Sequence, residues 1–126
     1  VVFRLTPPNA NHANWNSATL HSFSVPDGFN PGDLQITPAG GLLGTTNRGG
    51  QGTNAAQSRY GSGTVYELTP PAPGFTACKE TLLHSFKPKE GVGPSQPTLD
   101  QAGNIFGLTA GGTAGAHYGT LFRLTP

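Results

Sequence analysis

The chain repeats itself, and the period limits what it can fold into. Aligning "ATLHSFSVPDGFNPGDLQITPAGGLLGTT" with "TLLHSFKPKEGVGPSQPTLDQAGNIFGLT" sets His21 over His84, Phe23 over Phe86, Pro31 over Pro94 and Gly44 over Gly107, each pair 63 residues apart. The opening "VVFRLTPP" and the central "GTVYELTPP" keep that step, Phe3 to Tyr66, but the closing "GTLFRLTP" puts Phe122 only 56 residues after Tyr66. The loss falls after the Gly-Gly pair, where "NRGGQGTNAAQSRYGSG" shrinks to "AGGTAGAHYG". A chain built this way folds as a series of like units, each burying its apolar side against the next.

Within one unit the pattern is of short alternating runs bounded by Gly, Pro and Asn, the signature of strands and tight turns. In "VYELT", Tyr66 and Leu68 face one way while Val65 and Glu67 face the other. "DQAGN", Asp100 to Asn104, suits a tight hairpin because Gly103 tolerates a left-handed backbone. No window shows a helical period above chance. Four strands result: a is "DLQIT" and "PTLDQ", b is "LLGTT" and "IFGLT", c is the Leu-Thr-Pro phrase, and d is "TLHSF" and "LLHSF".

The expected fold is therefore all-β, tandem four-stranded antiparallel blades of β-propeller type, two repeats plus one extra strand. The 126 residues form a single repeat region: strands c-d over 1–24, a full a-b-c-d blade over 31–87, and a-b-c over 94–126. Two blades do not close a ring, and an open end leaves strand edges exposed. Three arrangements answer this: a longer tandem array with neighbouring repeats, a ring of several copies, or a filament in which the spare c strand pairs with another chain.

Composition narrows the partners. With seven basic and six acidic residues and only 10% charged, the chain has no basic field for phosphates, so nucleic acid is not an expected partner. No apolar run approaches the ~20 residues needed to span a bilayer, and no signal peptide opens the sequence. A first residue Val and the lack of any Met point to a processed or excised piece. The single cysteine, Cys78, permits no internal disulfide and completes no thiol metal site, so neither metal nor cofactor is expected.

At "GTVYELTPP", "TLLHSF" and "AGNIFGLTAGG" nearly the whole chain resembles the bacterial GloVer tandem-repeat proteins. That resemblance implies a secreted or surface-attached setting and supplies no catalytic motif. Trp15 fits the Trp that commonly precedes the Leu-His-Ser-Phe strand in that family, while the position 63 later is Cys78. "TPAGG" likewise departs from the Asp-x-x-Gly-Asn turn in the first copy.

Candidate chemistry is sparse. Glycoside hydrolysis needs two carboxylates facing each other, and Asp27, Asp33, Glu90 and Asp100 read instead as solvated turn residues. His21 and His84 recur beside Phe23 and Phe86, and packing outweighs metal ligation for a repeated position. Ser22 and Ser85 follow their histidines directly and so face the opposite way, which removes a Ser-His pair. The chain is accordingly expected not to be an enzyme. The loops carry the binding candidates: Arg48, Arg59, Tyr60, His117 and Tyr118 in the b-to-c connections, and Trp15 in the c-to-d connection. Their aromatic faces and planar donors suit carbohydrate or peptide, Trp15 being the best single stacking candidate, although for Trp15 a buried blade-to-blade anchor outweighs the stacking reading. The expected role is a structural or binding module of a bacterial surface or secreted protein. A lectin-like ring of two-blade chains and a filament subunit stand beside it.

Overall fold

The computed structural model describes residues 1–51, 61–73, 76–111 and 118–126. They hold nine strands and no helix: β1 Val2–Thr6, β2 Asn16–His21, β3 Phe29–Ile36, β4 Leu42–Arg48, β5 Thr64–Thr69, β6 Lys79–Ser85, β7 Val92–Leu99, β8 Ile105–Gly111 and β9 Leu121–Leu124. All neighbours run antiparallel in chain order. The first sheet is β1-β2, the second β3-β4-β5-β6 and the third β7-β8-β9. The all-β class and the antiparallel pairing agree with the alternation in the sequence.

Strand a is longer than the sequence suggested, because β3 and β7 begin before Pro31 and Pro94. Each proline is tolerated on an edge strand at an interrupted ladder: the pairing slips between Pro31 and Leu34 in β3 and between Ser95 and Thr98 in β7. Asp33 Oδ2 accepts the Gln96 amide at 2.9 Å, so the two inner edge strands meet at equivalent positions of the repeat.

Two apolar layers separate the three sheets. Val2, Leu20, Tyr66 and Leu68 pack together between the first and second sheets, with Phe23, Leu42 and Cys78 against them. Leu43, Val65, Phe86 and Ile105 fill the second layer with Leu99, Phe122 and Leu124. The strict alternation along β5 explains this: Tyr66 and Leu68 serve one layer and Val65 the other, so the middle sheet is buried on both faces. The outer faces are bare by comparison. Phe3 and Leu5 are 56% and 53% exposed, although their repeat equivalents Tyr66 and Leu68 are fully buried.

Candidate functional site

The same side-chain arrangement occurs at both sheet junctions. After β2 the chain turns through Phe23 to Asp27 before entering β3, and after β6 it turns through Phe86 to Glu90 before β7. His21 Nε2 donates to Asp27 Oδ2 at 3.2 Å, and His84 Nε2 donates to Glu90 Oε2 at the same distance. Each imidazole also meets the phenylalanine two residues on, edge to face, at ring centroid distances of 4.5 and 4.7 Å. Phe23 then stands edge-on to Tyr66 at 4.8 Å, and Phe86 to Phe122 at 5.0 Å.

Glycine makes room for those rings. A Cβ on Gly44 would lie 2.4 Å from Tyr66 Cζ, and one on Gly107 would lie 2.4 Å from Phe122 Cζ. The ring of strand c therefore lies over the glycine of strand b. Gly28 and Gly91 are needed for a different reason: φ is +153° and +133°, and a Cβ would strike Thr46 or Thr109.

Those threonines close the arrangement. Thr46 Oγ1 donates to Arg48 O at 2.8 Å and accepts the Thr64 amide at 3.1 Å. The Thr64 hydroxyl has one proton for two acceptors, Thr46 Oγ1 at 2.8 Å and Asp27 O at 3.0 Å. Thr109 and Thr120 repeat this, with the Thr120 hydroxyl reaching Glu90 O at 3.1 Å. The threonine pair was not singled out from the sequence. Its signal was present, since Thr46 and Thr109 end strand b while Thr64 and Thr120 begin strand c.

The carboxylates are held as turn acceptors. Burial pushes Asp27 up, but the Ser24 hydroxyl and amide, at 2.7 and 2.6 Å, and the His21 ring bring it below its ordinary value. Glu90 is lowered first by the Lys87 amide, 2.9 Å from Oε2, with His84 adding to it against a small burial cost. Asp100 is lowered by the Asn104 side chain and amide across the "DQAGN" hairpin. The reading of Asp27 and Glu90 as solvated loop residues misses their histidine partners. Beside the first junction, burial raises Glu80, and burial with the Glu80 charge pushes Tyr66 up to about 12.

The b-to-c and d-to-a connections lie together at one end of the strands, as the bond from Gly50 N to Val25 O shows, and the b-to-c connection also meets the start of β7, where Gly93 N donates to Ser62 O, both at 2.9 Å. A cleft of about 400 Å³ opens there between the second and third sheets, lined by Asn47, Arg48, Val92 and Ala110. Of the binding candidates, Arg48 lines this cleft, and Tyr118 stands 82% exposed just before β9. Arg59, Tyr60 and His117 lie outside the described residues. Trp15, 63% exposed, belongs to the β1–β2 connection at the opposite end and does not join Arg48. Among the described residues no group of three His, Cys, Asp or Glu side chains could hold a metal ion, and no helix is long and apolar enough to cross a membrane. No family model, no curated protein and no solved structure matches the chain.

Proposed function

We propose that the chain is a non-catalytic structural and binding module, built of propeller-like blades and belonging to a secreted or surface-attached bacterial protein. The observation that carries this reading is the repeated junction. His21 and His84 hold the carboxylates of Asp27 and Glu90, the groups that acid–base chemistry would use, so that each crossing loop is tied to the strand it leaves, while the backbone carbonyls of Asp27 and Glu90 tie it through Thr64 and Thr120 to the sheet that follows. Such a junction repeats without altering its neighbours, so it suits a rigid stack that presents variable b-to-c loops. The resemblance to GloVer repeats supports the extracellular setting. Exposed Tyr118 and the Arg48 cleft favour carbohydrate or short peptide as the ligand class, through aromatic stacking and planar donors. Individually weak contacts would add by avidity where several modules stand side by side.

The test is binding of the intact chain to immobilised oligosaccharide and peptide arrays, with a panel of chromogenic glycosides and esters run in parallel. Binding that falls severalfold with Arg48→Ala and survives Asp27→Asn and Glu90→Gln is the expected result. Steady turnover that disappears with either carboxylate substitution would overturn the non-catalytic reading.

A further inference from the structure

The cleft that Arg48 lines has two unlike walls. In the second sheet β4 ends on Asn47 and Arg48, whereas the residues 63 positions later, which end β8 in the third sheet, are Ala110 and Gly111. One wall thus brings an amide and a guanidinium, the other only small or apolar side chains. Glycine lets the inner strands approach the amide: a Cβ on Gly93, at φ +64°, would lie 2.9 Å from Asn47 Oδ1, and one on Gly32 would lie 3.7 Å from Asn47 Nδ2.

Buried hydroxyls gather behind these walls. Thr45, two residues back from Asn47 on the same face of β4, is wholly buried, and its Oγ1 has no hydrogen-bond partner among the described residues. That oxygen borders Gly32 beside Asn47 Nδ2, 3.6 Å from a Cβ placed there. Ser62 is also wholly buried with an unpartnered Oγ. It follows Gly61, which lines the cleft, and its carbonyl accepts the amide of Gly93, which lines it too. Unpaired buried hydroxyls are costly, so the surroundings favour an occupant rich in hydrogen-bonding groups of its own.

Charge narrows the kind of occupant. Arg48 is the one ionisable group among the described lining residues, and Lys87 and Lys89 stand exposed on the loop that enters β7 at Val92. The connections that leave the two walls, residues 49–63 and 112–120, contain no aspartate or glutamate. The acids of the neighbouring segments already hold donors: Asp33 in β3 accepts the Gln96 amide, and Glu90 accepts the Lys87 amide and faces His84. A chain with a net charge of only +1 therefore gathers cations at this end of the second junction.

We infer that the cleft takes a carboxylate-bearing sugar, a hexuronate unit of an acidic polysaccharide. This rests on the binding-module reading above and names its ligand class. The Arg48 fork pairs with the carboxylate, and the guanidinium has donors enough to keep its partner in the fold and meet a ligand as well. The Asn47 amide offers a donor and an acceptor to adjacent ring hydroxyls. Tyr118 is exposed and precedes Gly119, which lies against Thr109 and Ala110, so an aromatic ring stands on the Ala110 side for the sugar's apolar face. A volume of about 400 Å³ is at the small end for ligand pockets and suits a unit of this size. An acidic peptide would answer Arg48 but brings few hydroxyls to Asn47.

The intact chain is titrated with oligogalacturonate, with the same oligosaccharide after its carboxyls are reduced to alcohols, and with oligoglutamate, at low and at physiological salt. The expected result is uronate binding about tenfold tighter than that of the reduced sugar or the peptide, weakening as salt rises. Arg48→Gln should abolish the preference and Arg48→Lys keep part of it, because lysine retains the charge without the fork. Asn47→Ala should weaken both sugars alike, and Lys87→Gln with Lys89→Gln should flatten the salt dependence. Melting of each variant checks its fold, and amide shifts of the unaltered chain on adding uronate should centre on Asn47, Gly93 and Ala110. Reduced sugar or peptide bound as tightly as uronate would overturn the proposal, as would shifts that lie away from the cleft. Binding to other sugars or peptides with none to uronate would remove this proposal alone, whereas no binding to any of them would remove the binding reading with it.

Discussion

The two sheet junctions are built to one plan and differ at a few atoms. Both use a histidine, a phenylalanine two residues on, an acid four residues after that, and a pair of threonines. The first places Phe23 half-buried against the hydroxyl-bearing ring of Tyr66, with Glu80 close enough to act on it electrostatically. The second places Phe86, 2% exposed, against the plain ring of Phe122. The difference shows which parts of the junction are required and which are tolerated. Shape is held constant: ring over glycine, ring against ring. Polarity at the ring tip is not, and the first junction carries a buried Tyr66 hydroxyl without a hydrogen-bond partner among the described residues.

The comparison breaks hardest at the phenylalanines. Phe86 is enclosed by Leu43, Val65 and Ile105 and by Phe122 of the next sheet, so Phe86→Ala removes a fully packed ring and should cost about 3–5 kcal/mol. Phe23 flanks its layer with one side open, and Phe23→Ala should cost roughly half as much, about 2 kcal/mol. Urea unfolding of both variants checks this. Equal losses would mean that the two junctions are equally closed, against the burial seen here.

A smaller effect of opposite sign is expected at the ring tip. Tyr66→Phe makes the first junction chemically like the second, and deleting an unpaired buried hydroxyl should stabilise by about 1 kcal/mol. Tyr66 is raised in the folded state, to about 12 from an ordinary value of 10.0, so its contribution is complete below the ordinary value and is lost as pH rises through the folded one. Wild type should therefore lose stability between those limits while Tyr66→Phe loses less. Thermal melts at neutral and alkaline pH separate the two variants. Destabilisation by Tyr66→Phe at neutral pH would mean that the hydroxyl has a partner, such as a trapped water.

Much of the fold was legible because periodicity survives divergence. The 63-residue step and the period-two alternation in "VYELT" need only apolar residues at the right parity, and both are read without contacts. Strand starts were less legible: Pro31 and Pro94 look like boundaries, yet sit inside β3 and β7 because edge strands tolerate a residue without an amide proton. The junction was half visible. His21 and His84 were read as packing residues from their repetition, but their partners six residues on differ in identity, Asp27 against Glu90. Thr46 and Thr64 are separated by 17 residues of changing loop, and only pairing of β4 with β5 reveals that they touch. Of the cleft only Arg48 was visible, since its walls come from strands of two different sheets.

The smallest expected difference lies in the acids, where chain length alone separates the junctions. Asp27 divides its work: Oδ1 accepts from the Ser24 amide and hydroxyl while Oδ2 meets His21. Glu90, one methylene longer, uses Oε2 for both the Lys87 amide and His84. Both carboxyls are lowered in the folded state, so each contributes stability that is complete above its ordinary value, 3.8 for Asp27 and 4.5 for Glu90. That contribution is lost as pH falls through the folded value. Asp27→Asn and Glu90→Gln should each flatten the acid side of the stability profile, measured as melting temperature from neutral pH down through the carboxylate range. Asp27→Asn should flatten it more, because an amide in place of Oδ1 or Oδ2 faces either the Ser24 donors or the His21 ring with a donor of its own. A larger effect of Glu90→Gln would mean that the sharing of Oε2, rather than the number of donors engaged, sets the strength of the histidine–carboxylate pair.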